Sequence, residues 1–415
     1  MKLLRWLLLI LLALLVISAL AAPGIIGPKV EEIWKQQLGR LQGGNSTSYQ
    51  RGWFGAETNT EVALQNGTTE LRTEIHHGPL LLTSRGPRFG VIYSETRLDL
   101  EQLNPQLRAQ LESLYGRLQD SPLVLETLVS ADNRVLNTLR LEPFKSTGDF
   151  GQLEFNGGEI AVSTDYSGAT LEGVVDLGSL RQLRDGVEVL FTEPVTGEFQ
   201  LEPQRGGKAQ LSLSLLRAES DSGPVELRDI RLNLDLEMLA AQTLKVVSDL
   251  HLPNVQSATP ITSARQQMTL PKIKAADLGH YLRLLLPVAE RNWALDLRPP
   301  LRLQQQLVVE SRNGPVLVDA DVDWKGMKRA PRQRNGSALN QWLQPLVGTM
   351  TLSAAESALL QSPLVGQAMM LREYGLLIEH NDELQMHLEV NRGRLEVNGQ
   401  QLPPDLFLMA LTGQF

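Results

Sequence analysis

The sequence contains no cysteine, which excludes disulfide scaffolds, thiol nucleophiles and cysteine-ligated zinc or iron–sulfur sites. Aromatic residues make up only 5% of the chain, and 39 Lys and Arg stand against 47 Asp and Glu for a net charge of −8. A general nucleic-acid binder needs a basic face that displaces counterions from phosphates, and this balance does not supply one. The motifs H-E-x-x-H, G-x-S-x-G and G-x-x-x-x-G-K-[ST] are all missing, so a zinc peptidase, an α/β-hydrolase and a P-loop enzyme have no local support. The residues that are present, 42% hydrophobic and 21% charged over 415 positions, make the composition of a globular protein with a sizeable core.

The N-terminus carries the first positive signal. Lys2 and Arg5 precede Trp6 to Ala22, an uncharged run rich in leucine that spans a bilayer's hydrocarbon core once Pro23 to Ile26 are added. The charge order keeps Lys2 and Arg5 in the cytoplasm and sends the rest across the membrane. An uncleaved anchor over residues 1–28 is the expectation; its competitor is a cleaved signal peptide, for which Ala19-Leu20-Ala21 is a site of the A-x-A type. Behind it, Val30, Ile33, Trp34, Leu38 and Leu41 have the spacing of one helical face, which predicts an amphipathic stalk helix over 29–44. Gly43-Gly44-Asn45-Ser46 reads as a flexible boundary before a body at 45–415 that holds one or two subdomains.

From Tyr49 onward the dominant period is two. Leu211, Leu213 and Leu215 alternate with serines, Ile230, Leu232, Leu234 and Leu236 alternate with polar residues, and Val316 to Trp324 alternates with Asp319, Asp321 and Asp323. The predicted fold is mainly β with a few helices (α+β): antiparallel sheets with one apolar face, plus the N-terminal transmembrane helix. Turns are expected at Asn156-Gly157, Ser167-Gly168 and Asn398-Gly399. Helices are expected after Asn104-Pro105, over Ala276 to Val288, and from Ser353, where Ser353-x-x-Glu356 has the form of a capping box and Pro363 restarts or kinks the helix.

Few constellations carry chemistry. Asp319, Asp321 and Asp323 open like a calcium loop, but Trp324 stands where the loop needs Gly and Ala330 where it needs a closing Glu, so they read as the wet face of a strand. His76 and His77 are adjacent and point to opposite faces, His380 and His387 lack ligand spacing, and His251 and His280 sit singly among leucines. Lys325, Lys328, Arg329, Arg332 and Arg334 form one basic cluster, read as a solvated loop with anionic headgroups or an acidic partner as the alternative. No metal, no cofactor and no catalytic residue is assigned.

Four stretches fall in a recognisable order: Tyr49-Gln50-Arg51-Gly52-Trp53-Phe54, His77-Gly78-Pro79, Phe155-Asn156-Gly157-Gly158-Glu159 and Leu395-Glu396-Val397-Asn398-Gly399. Behind a single N-terminal anchor, this order resembles the YdgA family, a bacterial group of unknown function. The resemblance implies an inner-membrane protein with a periplasmic body and supplies no activity. Its motif residues, Tyr49, Gly52, Phe54, His77, Gly78, Pro79, Gly157, Gly158, Asn398 and Gly399, also have structural accounts: Tyr49 and Phe54 as core aromatics, Gly52 as a bulge or close approach, and Gly78-Pro79 as a strand end. His77 is the one among them whose charge changes near neutral pH.

The expected function is a non-enzymatic, inner-membrane-anchored envelope protein whose β-rich body binds other envelope proteins. The alternative is a lipid-handling module in which the same apolar strand faces line a groove, and a hydrolase with dispersed groups is third. The expected partners are the inner membrane, through the N-terminal helix, and an envelope protein or lipid; nucleic acid is not among them.

Overall fold

The computed structural model describes residues 28–32, 44–64, 67–132, 134–148, 151–165, 169–202, 204–220, 223–240, 242–282, 297–327, 343–362 and 365–404. The apolar N-terminal run, most of the stalk helix, the Ser167-Gly168 turn and all of the basic cluster except Lys325 lie outside the described residues. Among the described residues no helix is long and apolar enough to cross a membrane. Two compact units divide the chain, Met1–Gln200 and Leu201–Phe415.

The first unit opens with β1 (Gly44–Arg51), β2 (Gly55–Leu64) and β3 (Gly67–His77). A small hairpin comes next, β4 (Leu80–Thr83) with β5 (Gly86–Phe89), then β6 (Ile92–Leu98), α1 (Pro105–Tyr115), β7 (Leu123–Val129) and β8 (Arg134–Leu141). The remaining strands are β9 (Phe144–Gly148), β10 (Gly151–Phe155), β11 (Gly158–Asp165), β12 (Leu171–Leu177), β13 (Leu180–Arg184), β14 (Val187–Thr192) and β15 (Val195–Glu202). Side by side, β1, β2, β3, β6, β7, β8, β11 and β12 pair antiparallel throughout. Gly44, Asn45 and Ser46, read from sequence as a flexible boundary, are the start of β1, where they pair with Val62, Glu61 and Thr60.

Strand parity explains which face is buried. Ala56, Thr58 and Thr60 of β2 and Thr69, Thr73, Ile75 and His77 of β3 point the same way and are all buried. The helical residues 28–32 lie on this face. Val30 packs against Ala56 and Ile75, with Tyr49 and Ile92 beside them, and Glu31 pairs with Arg51 at 3.0 Å. The Thr-rich face is satisfied locally where hydroxyls meet, as in the 2.9 Å bond between Thr73 and Thr96. Asn104 caps α1 as expected, its Oδ1 accepting from the Gln106 and Leu107 amides at 2.9 and 3.3 Å, with Pro105 in the first turn.

Asn156-Gly157 does not close a hairpin. Strand β10 pairs with β9 and β13, whereas β11 pairs with β8 and β12, so the chain runs on through a bend. Three neighbouring strands bend at the same level, at Glu142-Pro143, Asn156-Gly157 and Gly178-Ser179. The Gly178 amide donates to the Gly157 carbonyl at 2.7 Å and the Asn156 amide to Ser179 at 3.0 Å, which keeps the ladder closed across the kink. Gly157 takes φ +78°, and a Cβ on Gly178 would stand 2.6 Å from the Gly157 oxygen. The positive φ that makes Asn-Gly a turn signal serves a bend equally well, which is why sequence spacing misassigned it.

The second unit holds β16 (Gly206–Ser220), β17 (Gly223–Ala240), β18 (Thr243–Leu252), β19 (Asn254–Gln256), β20 (Ile261–Lys274) and α2 (Ala275–Leu282). After these come β21 (Leu301–Ser311), β22 (Val316–Trp324), β23 (Leu346–Ala355), α3 (Glu356–Leu360) and α4 (Val365–Glu373). The unit closes with β24 (Ile378–His380), β25 (Glu383–Asn391), β26 (Arg394–Val397) and β27 (Gln400–Leu402). Strands β16, β17, β18, β20, β21, β22, β23, β25, β26 and β27 stand in that order, each antiparallel to the next.

All three alternating runs read from sequence are strands here, in β16, β17 and β22. The capping box is not one. Ser353 lies inside β23, its Oγ donating to Glu383 Oε2 at 2.6 Å, and the helix starts at Glu356 after Ala355, which makes no side-chain cap. Pairing of β23 with both β22 and β25 as far as Ala354 carries the strand past the serine, so tertiary pairing overrides a local signal. Asn398-Gly399 forms the expected two-residue turn between β26 and β27, with φ of 50° and 80° as a type I′ turn requires.

Candidate functional site

Six of the motif residues converge on one end of the first unit. The Gly52 amide donates to the Gly55 carbonyl at 2.7 Å and closes the turn from β1 to β2. Next to it, the His77 amide donates to Phe54 at 2.8 Å, Gly78 to Val91 at 3.2 Å, and Gly90 to Pro79 at 3.2 Å. Gly78-Pro79 is thus the strand end that the sequence suggested, since β3 stops at His77 and Pro79 offers only its carbonyl. Tyr49 is half-buried against Val30, Ala56 and Ile75, as a core aromatic should be. Phe54 is not one: it is 55% exposed at the turn, because the chain leaves the sheet at Gly52 before the phenylalanine is reached. Gly52 lies in the turn rather than at a bulge, and the close approach belongs to Gly55, where a Cβ would sit 2.4 Å from the Ile75 oxygen.

His77 is the unusual member. Its side chain is 2% exposed, and neither Nδ1 nor Nε2 has a hydrogen-bond partner; the buried Tyr49 hydroxyl has none either. Burial pushes the imidazole below its ordinary value, with His76 and Arg51 adding to the effect, so it is neutral at pH 7. Burial likewise raises Tyr49, helped by Glu31 and opposed by Arg51. Each of these buried polar groups lacks a hydrogen bond, which costs free energy relative to its exposure to water.

The opposite face of these strands carries a network that sequence reasoning did not single out. Glu126 on β7 accepts from Arg140 on β8 at 2.9 Å and faces Arg85 of the β4–β5 hairpin at 3.4 Å, while Arg85 also holds Glu159 on β11 at 2.7 Å. Ser84 and Tyr93 share a 3.2 Å bond, and Tyr93 donates to Glu95 at 3.0 Å. Burial, reinforced by the bond to Glu95 and by Glu126, pushes Tyr93 up to about 12. Burial alone would raise Glu95, but hydrogen bonds from Arg97, Tyr93 and Ser84 outweigh it and hold the carboxyl below its usual range. Tyr93 therefore stays protonated and Glu95 ionised near neutrality, an arrangement that staples the hairpin to the sheet. The alternation of Tyr93, Glu95 and Arg97 placed these side chains on one face, but no local pattern tied them to Glu126 or Arg140.

The remaining motif residues are separate from the tip. Gly157 and Gly158 form the bend described above. Asn398 anchors its turn in the second unit: its Oδ1 accepts from the His387 amide at 2.7 Å and its Nδ2 donates to the Leu376 carbonyl at 3.0 Å. The three aspartates of β22 lie on a strand face, two of them in ion pairs. Arg302 grips Asp321 through Nε and Nη2 at 3.1 and 2.9 Å, Gln304 adds a third bond at 3.0 Å, and Lys325 pairs with Asp323. Among the described residues no cluster of three or more His, Asp or Glu is placed to hold a metal ion. His380 and His387 stand exposed on different strands, β24 and β25, rather than on one.

The second unit has an apolar sheet face. Register places Leu211 beside Leu232 and Leu232 beside Leu250, then Leu307 beside Val318, Val318 beside Leu352 and Leu352 beside Met386, in one row crossing eight strands that is interrupted only at β20, where Gln266 stands between Leu250 and Leu307. A parallel row runs through Leu213, Ile230, Val309, Val316, Ala354 and Leu384. At one end α3 and α4 cover the face, burying Ala354, Leu384, Met386 and Leu388 under Leu359 and Leu371. Leu278 and Tyr281 of α2 cover Val246, Leu270 and Ile273. Between and beyond these caps, Leu211, Leu213, Ile230, Leu232, Leu234, Leu250, Leu307 and Val318 are half-buried. The reverse face is polar, with Gln267, Thr269, Gln304, Asp319, Asp321, Thr349 and Thr351 lining an open concavity of about 390 Å³.

Fold and surfaces together define a class: a β-rich protein of two antiparallel units, the first with a threonine-rich buried face on which Val30 packs and the second with a wide aliphatic sheet face. Within that class, the chain belongs to a bacterial protein family of unknown function (DUF945), whose profile matches residues 1–256, the whole first unit and the second as far as β19. No curated protein and no solved structure matches it.

Proposed function

We propose that this is an inner-membrane-anchored periplasmic protein of the YdgA-like group, not an enzyme, whose second unit handles lipid by laying acyl chains along the aliphatic sheet face. The observation that carries the proposal is the pair of aliphatic rows crossing the strands from β16 to β25, half-buried from β16 to β22, closed under α3 and α4 at β25 and interrupted in one row by Gln266 of β20. Seven strand spacings make the face roughly 34 Å wide.

Its chemistry favours lipid over protein. Protein interfaces are enriched in Tyr, Trp, Phe and Arg, whereas these rows are aliphatic apart from Gln266 on β20 and Met386 on β25, with Trp324 at the margin of β22. Acyl chains need area without directional partners. At about 0.8 kcal/mol per buried methylene, roughly ten methylenes supply on the order of 8 kcal/mol before ordering costs, enough for reversible retention. The anchor and topology rest on Lys2 and Arg5 preceding the apolar run.

Neighbouring residues of β17 provide the test, because Leu234 and Asn233 point to opposite faces. A benzophenone amino acid placed at Leu232 or Leu234 in cells should capture labelled phospholipid, while the same group at Asn233 or Asp235 should not. Capture of protein in place of lipid at the leucines would replace this reading with that of an envelope interaction module, and labelling equal at both faces would remove the groove.

A further inference from the structure

The end of the first unit that carries Gly52 and His77 also exposes four large apolar side chains, Trp53, Phe54, Leu80 and Phe89, each between 53 and 83% exposed. Backbone contacts join them. Phe54 accepts from the His77 amide, Leu80 lies three residues beyond His77, and Leu80 and Phe89 face each other in the β4–β5 hairpin. Isolated exposed hydrophobics are ordinary; four on adjoining turns of one sheet end form a patch.

The chain itself shows what lies next to that patch. Val30 packs on Ala56, Ile75 and Ile92, residues at the ends of β2, β3 and β6 nearest the tip, whereas Gly44 pairs with Val62 at the other end of β2. Residue 28 therefore enters the folded unit at the tip, and in the sequence the apolar run Trp6 to Ile26 ends two residues before it. A membrane-embedded run ending at Ile26 leaves the tip within two residues of the bilayer surface.

We infer that Trp53, Phe54, Leu80 and Phe89 insert into the interfacial region of the membrane that holds the N-terminal run, so that the first unit stands on the bilayer by its tip instead of swinging freely on a tether. Tryptophan suits the headgroup level, where its ring is covered while the indole N–H stays wet, and phenylalanine and leucine suit the acyl boundary just beneath it. Fixing the tip also fixes the direction in which the chain leaves the membrane. This inference rests on the anchor in the proposed function and is independent of what the second unit binds.

The absence of cysteine makes a direct test available. Single variants Phe89→Cys and Leu80→Cys, each labelled with an environment-sensitive fluorophore, are reconstituted as the full chain into phosphatidylethanolamine–phosphatidylglycerol vesicles with and without nitroxide-labelled lipid. Val187→Cys, exposed on β14 past the bend and away from the tip, is the reference. The expected result is loss of most of the emission at positions 89 and 80 and little at 187. Unquenched labels at 89 and 80 on chains that float with the vesicles would overturn the membrane-seated tip and leave the anchor standing. Chains that do not float with vesicles would overturn the anchor reading and this inference together.

Discussion

Arg140 Nη1 lies 2.9 Å from Glu126 Oε1 while Arg85 Nε reaches the other carboxylate oxygen at 3.4 Å, so guanidinium groups from β8 and from the β4–β5 hairpin meet on one side chain that is only 8% exposed. The pairing couples a projecting hairpin to the sheet beneath it.

Glu126→Gln keeps the shape and removes the charge from that meeting point. Both arginines retain solvent access and can rehydrate, so the expected loss is about 1–2 kcal/mol rather than the larger cost of a stranded buried charge. Chemical denaturation measures it, and amide exchange in β4 and β5 should quicken more than in β2. Unchanged exchange in the hairpin would show that Glu126 does not hold it.

His77 gives a pH dependence of definite sign. Its folded value is depressed below the ordinary 6.5, so the unfolded chain takes up a proton that the folded site resists. Stability from this residue is therefore intact above the unfolded value and falls as pH drops through it, by at most about 1.4 kcal/mol per pH unit. Comparing denaturation at about pH 7.5 and about pH 5.5, His77→Leu should lose less stability than the natural chain. Equal losses would mean that another group carries the acid sensitivity.

At the bend, Gly178→Ala and Gly157→Ala should each destabilise by about 1–3 kcal/mol, the first through collision with the Gly157 carbonyl and the second through its positive φ. Gly186→Ala is the comparison, since it shares a positive φ with open space around it. A Gly178→Ala variant as stable as the natural chain would disprove the close approach.

Asn398 combines a turn conformation with side-chain bonds to two other segments. Asn398→Gly preserves the conformation and removes the bonds to His387 and Leu376, whereas Asn398→Ala loses both. Expected losses are about 1–2 kcal/mol for the glycine variant and more for the alanine variant, read from thermal or urea unfolding. Equal effects would assign the whole role to the side-chain bonds.

Several of these elements were legible in the sequence. Period-two runs became β16, β17 and β22, Asn104-Pro105 capped α1, and Asn398-Gly399 formed its turn, because each depends on neighbours a few residues away. Signals failed where two long-range contexts accept the same residues. Asn156-Gly157 suits a bend as well as a hairpin, and Ser353-x-x-Glu356 was overridden by strand pairing on both sides. Of the motif residues, His77, Gly78 and Pro79 were recognised as a unit, but nothing local revealed that Phe54 would be exposed or that His77 would be buried without a partner.

By itself the sequence determined that the body is antiparallel β, that thiol chemistry is absent, and which face of each strand is apolar, since composition and alternation are properties of the unfolded chain as much as of the folded one. Only the tertiary structure decided which strands stand side by side, which exposed side chains gather at the tip, and which leucines stay half-covered. Those outcomes depend on pairing between residues distant in the chain, and strand alternation is the same whichever partner is chosen.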